Sequence, residues 1–101
     1  LGNALELNTF SWDILTRVNE QKRELDIALS AVEKANKMTE KKNPMVLDTY
    51  ALALFLNGQI KEAITNQQQA IDLLKDNPEI QKELIKTLQK YKEEAKKKDS
   101  K

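Results

Sequence analysis

The spacing and punctuation of this sequence predict an all-helical fold. Only two Gly and two Pro interrupt 101 residues, fewer turn residues than a strand-rich chain needs. Apolar residues instead recur at intervals of three and four, the period that gathers side chains on one face of a helix. A hydrophobic fraction of 40% over this length supports one small core and leaves no room for a second full domain.

The first predicted helix covers about residues 8–18. Phe10, Trp12, Ile14, Leu15 and Val18 give it a wide apolar stripe, and Asn8 or Thr9 stands where a side chain caps exposed N–H groups. Trp12 reads as a core residue that seals this end. A polar stretch, Asn19 to Arg23, gives way to Leu25, Ala28, Leu29, Val32, Ala35 and Met38, one face of a second helix. Lys41-Lys42-Asn43-Pro44 stops it, and Pro44 suits the first turn of the next helix, where its missing N–H has no partner to lose.

The third helix runs to about Leu56 with Leu47, Tyr50, Ala51 and Leu54 on its inner face, and Asn57-Gly58 supplies the positive φ of a tight turn. From about Ile60 a fourth helix carries Ile60, Ala63, Ile64, Ala70, Ile71 and Leu74, interrupted by Gln67, and Asp76-Asn77-Pro78 ends it. In Gln67-Gln68-Gln69, one side chain is expected to tuck in while the others face water. The fifth helix, about 78–95, has a narrow stripe of Ile80, Leu84, Leu88, Tyr91 and Ala95 among Lys, Glu and Gln. Residues 96–101 lack an apolar anchor and are expected to fray into solvent. Residues 1–95 thus read as one domain.

Composition narrows the chemistry. The chain has no Cys and no His, so it lacks thiol nucleophiles, disulfides, the usual zinc ligands and an imidazole base. Its carboxylates are many, yet nothing in their spacing sets two of them in an apolar pocket that would split their pKa values. The chain is therefore read as no enzyme, with no cofactor and no metal. Seventeen Lys plus Arg balance sixteen Asp plus Glu, for a net charge of +1, and the Lys-rich end has no Arg and one aromatic, Tyr91; nucleic acid is not an expected partner. Nor is a membrane, because the longest apolar run, Tyr50 to Leu56, falls far short of the roughly 20 residues a spanning helix needs. Opening on Leu1 without a leader pattern, the chain reads as an excised or processed piece of a larger protein.

Sliding the sequence against itself by 35 residues pairs Trp12 with Leu47, Leu15 with Tyr50, Ala28 with Ala63, Leu29 with Ile64 and Ala35 with Ala70. The Asn-Pro dipeptides at 43–44 and 77–78 recur after 34 residues. In these features the chain resembles the tetratricopeptide repeat (TPR) family. Leu47, Tyr50, Ala51, Leu54, Gly58, Ala63, Ala70 and Pro78 follow its pattern well. Trp12, Leu15, Ala28, Val32 and Ala35 follow it too, but Thr16, Asn19 and Arg23 depart from it, so the first repeat is degenerate and its inner turn longer or looser. The resemblance implies two helix-turn-helix repeats, about 8–43 and 44–77, capped by the last helix. It also implies a protein or peptide partner in a groove lined by the first helix of each pair.

Groove-facing residues on this reading are Asp13, Arg17, Asp48, Leu52 and Phe55, with Leu52 and Phe55 either flooring the groove or packing on the last helix. A subset of the family clamps a chaperone's terminal carboxylate with Lys and Asn; Asp13, Arg17, Asp48 and Leu52 stand in the comparable places, and the clamp is largely absent. Leu7, Phe10 and Ile14 are expected to be partly exposed as a second docking surface, for an upstream domain or for a second copy in a homodimer. A further resemblance, carried by Leu7-Asn8-Thr9-Phe10-Ser11-Trp12 and Leu47-Asp48-Thr49-Tyr50-Ala51, is to helical C-terminal extensions of thioredoxin-like bacterial envelope proteins. It implies a structural tail, with redox chemistry upstream of Leu1 and a periplasmic or envelope location; otherwise the location is read as cytoplasmic.

Overall fold

A computed structural model describes residues 2–17 and 22–99. Five helices follow in order: α1 (Ala4–Leu15), α2 (Lys22–Met38), α3 (Pro44–Leu56), α4 (Ile60–Asp72) and α5 (Pro78–Asp99). No strand occurs among the described residues. Expectations for Val18, for Asn19 to Gln21 and for residues 100–101 fall outside them, while Lys22 and Arg23, expected in the polar stretch ahead of the second helix, are its first residues.

Local chemistry sets the helix ends. Helix α1 begins earlier than predicted, because Asn3 rather than Asn8 caps it: its Oδ1 accepts from the Glu6 N–H at 2.8 Å, and its amide donates to the Glu6 carboxylate at 2.8 Å. Asn43 does the same for α3, accepting from Met45 and Val46 N–H at 3.0 and 3.2 Å, with Pro44 in the first turn as expected. Helices α2 and α3 end in the same bonding pattern. The Gln59 N–H reaches back to Leu54 O at 2.8 Å and Gly58 N–H to Phe55 O at 3.0 Å; the Lys41 N–H reaches Asn36 O at 2.8 Å and Glu40 N–H reaches Lys37 O at 3.1 Å. Gly58 supplies the left-handed residue of the first at φ 85°, whereas Glu40 and Lys41 are forced to φ 56° and 60° at the second. Helix α5 continues to Asp99, so residues 96–99 do not fray; the lysines there sit on the helix end that favours positive charge.

Each hairpin closes over small side chains. Ser11 and Ala28 are fully buried where α1 crosses α2, and Ser11 Oγ donates to Ala28 O at 2.9 Å. Ala51 and Ala63 are fully buried between α3 and α4. Leu7, Ile14 and Leu15 pack with Val32 and Ala35 in the first hairpin, and Val46 and Ala53 of α3 insert into the same cluster. Leu47, Ile71 and Leu74 pack with Leu84 and Leu88 of α5. The helices thereby form two layers, α1, α3 and α5 over α2 and α4, in a slab of 42 × 37 × 21 Å, about two helix diameters thick.

Several sequence expectations are corrected by this packing. Leu7 and Ile14 are core residues, each 5% exposed, and of the expected docking surface only Phe10 stays half-buried. Trp12 is 42% exposed and seals nothing. Met38 and Ile80 are likewise exposed. In the first helices the pairing of Trp12 with Leu47 does not hold: Leu7, Ser11 and Ile14 share the buried environments of Leu47, Ala51 and Leu54, which puts Trp12 opposite Leu52. In the second helices Ala28, Val32 and Ala35 do match Ala63, Gln67 and Ala70 in burial.

Candidate binding groove

A groove of about 550 Å³ runs across the face formed by α1, α3 and α5. Helix α3 contributes Asp48, Leu52 and Phe55, four and three residues apart and therefore on one face. From α5 come Thr87, Lys90, Tyr91, Glu93 and Glu94, and from α1 comes Trp12. A smaller hollow of about 280 Å³ shares Trp12 and Asp48 and extends past Asn8, Met45 and Thr49. Trp12 thus stands between the two hollows as an exposed ring.

The floor is aromatic and apolar. Phe55 and Tyr91 stack with ring centroids 4.5 Å apart and planes at 24°, and Leu52 is half-buried against the first hairpin's core. Phe55 therefore does both things considered for it: it packs on the last helix and lines the groove. Tyr91 is 3% exposed.

Beneath the floor lies a polar tie. Gln67, the polar interruption in α4, is fully buried; its Nε2 donates to Asp48 Oδ1 at 2.9 Å and to Leu84 O at 3.2 Å, linking α4 to α3 and α5. Gln68 and Gln69 remain exposed, Gln69 donating to Lys41 O at 2.8 Å across the α2–α3 turn. Burial raises the Asp48 carboxyl above its ordinary value, a push opposed by the Gln67 hydrogen bond. Burial also raises the Tyr91 phenol, helped by the nearby Asp48 charge. Tyr91 Oη and Gln67 Oε1 are buried without a hydrogen-bond partner among the described residues.

Of the five residues predicted to face the groove, the structure brings Asp48, Leu52 and Phe55 together. Asp13 lies elsewhere, beside Leu5, Glu6, Thr9 and Phe10 on the outer side of α1, and Arg17 is exposed beyond the end of that helix. Sequence reasoning missed Trp12, Lys90, Glu93 and Glu94 as groove residues. The signal for Trp12 was in the paired segments Leu7–Trp12 and Leu47–Leu52, where Trp12 occupies the place of groove-facing Leu52.

Among the described residues no group of three or more His, Cys, Asp or Glu side chains is placed to hold a metal ion, and no helix is long and apolar enough to cross a membrane. Compared with protein-family models, curated proteins and solved structures, the chain matches none of them.

Proposed function

We propose that this chain is a non-catalytic protein-interaction module of TPR type, which holds a segment of another protein in the groove across α1, α3 and α5. The observation that supports the reading is Trp12: a large ring 42% exposed, on a helix whose other bulky residues are buried or half-buried apart from Leu5, facing a groove floored by Leu52 and Phe55. Exposed aromatic rings beside half-buried aliphatic side chains are the anchors of protein–protein contacts, and a groove open along parallel helices suits an extended or helical segment.

Trp12 is the only Trp, so its fluorescence reports groove occupancy directly. Peptides selected on this chain from a displayed random library should shift Trp12 emission on titration, and Leu52→Asp should abolish the binding while far-UV circular dichroism stays helical. Selection of no peptides, or of peptides that bind the Leu52→Asp protein equally well, would overturn the reading.

A further inference from the structure

Resting on that reading of the groove, we infer that the segment it accepts presents an arginine side chain next to an apolar residue. The first ground is charge. Asp48, Glu93 and Glu94 line the groove against the single cation Lys90, so an incoming carboxylate meets repulsion and a cation meets attraction. Glu94 pairs with Lys97 at 3.3 Å, but both side chains are well exposed, and such a pair holds its carboxylate weakly.

The second ground is hydrogen bonding. Asp48 Oδ1 accepts from Gln67, and Oδ2 has no donor among the described residues. Asp48 thus has a carboxylate oxygen to spare at the groove, and a guanidinium offers five N–H groups in a rigid fork and no acceptor. The third ground is the Trp12 ring, whose exposed face attracts a cation and matches a planar guanidinium. Leu52 and Phe55 then receive the neighbouring apolar side chain.

The test uses the whole chain and three synthetic peptides of equal length, alternating Leu with Arg, with citrulline or with Glu, each titrated against Trp12 emission. The arginine peptide should bind about tenfold more tightly than its neutral citrulline counterpart, and the glutamate peptide should bind most weakly. Asp48→Asn should erase most of that preference. Glu93→Gln, on exposed helix surface, should reduce it by a smaller factor and serves if Asp48→Asn perturbs folding. Equal binding of the arginine and citrulline peptides would overturn this inference and leave the module reading standing. Failure of all three, together with failure of the library selection, would overturn both.

Discussion

Helices α1 and α3 present the same inner face and opposite outer faces. Leu7, Ser11 and Ile14 are buried in one as Leu47, Ala51 and Leu54 are in the other. On the outer side, α3 has Val46 and Ala53, which are buried in the core of the first hairpin, whereas α1 has Glu6 and Asp13, which are exposed. One pattern makes a helix that packs on two sides and the other a helix that ends the stack. The inner face therefore assigns a helix to its hairpin, and the outer face assigns the hairpin its place in the molecule.

Exchanging those outer faces is the most severe way to break the comparison. Ala53→Asp sets α1's residue into a fully buried site of α3 and should cost at least about 3 kcal/mol in urea unfolding. The converse, Asp13→Ala at an exposed site, should stay within about 0.5 kcal/mol of wild type. Equal effects would mean that the two outer faces are not distinguished by burial.

The second helices sharpen it at one position. Val32 and Gln67 occupy matching buried places, and their neighbours differ accordingly: Asp48 has a donor in Gln67, while the Oδ1 of Asn8, Asp48's counterpart on α1, is buried without a hydrogen-bond partner among the described residues. Gln67→Val, which copies the first hairpin into the second, should cost about 2 kcal/mol because it strands a partly buried carboxylate. A neutral result would show that Asp48 finds another donor.

The two helix ends that share one bonding pattern form a smaller test. A Cβ at Gly58 meets nothing within 4 Å, so Gly58→Ala should cost about 1 kcal/mol through its positive φ alone. Glu40→Gly should instead stabilise by about 0.5 kcal/mol, the relief of the left-handed backbone less the freedom gained by the unfolded chain.

Smallest are the effects of pH, and their signs follow from burial. Asp48 has its pKa raised in the fold from 3.8, so the stability attached to its protonated form is full below that value and is lost as pH rises through the folded pKa. The stability of Asp48→Asn relative to wild type should therefore grow from about pH 4 toward pH 7. Tyr91, raised from 10.0, gives the same sign in alkali: wild type should lose stability above about pH 10 more steeply than Tyr91→Phe. Parallel profiles for wild type and either variant would remove that group from the accounting.

Much of the architecture was legible before any coordinates. Pro44, Pro78, Gly58 and the three- and four-residue spacing located the helices from α2 on within a few residues, because caps, turns and helical period act between near neighbours. The register of α1 was not legible by a single offset. Helix α1 ends at Leu15 and α2 begins at Lys22, whereas α3 ends at Leu56 and α4 begins at Ile60, so one slide aligns the second helices and misaligns the first. That slip moved Asp13 and Arg17 into the expected groove and Trp12 into the expected core. Lys90, Glu93 and Glu94 were passed over because charged residues on an amphipathic helix look alike whether they face open water or the rim of a groove.

Taken alone, then, the sequence determined which residues share a helix and which face of each helix is apolar, since both depend on contacts within about one turn. Which neighbour covers each face was decided only when five helices packed together. Trp12 lies beside Asp48 and Tyr91 in the groove though no local signal connects them, and buried Gln67 is tolerated because two other helices supply its acceptors. Such outcomes depend on distant residues arriving at one place, and no local period encodes them.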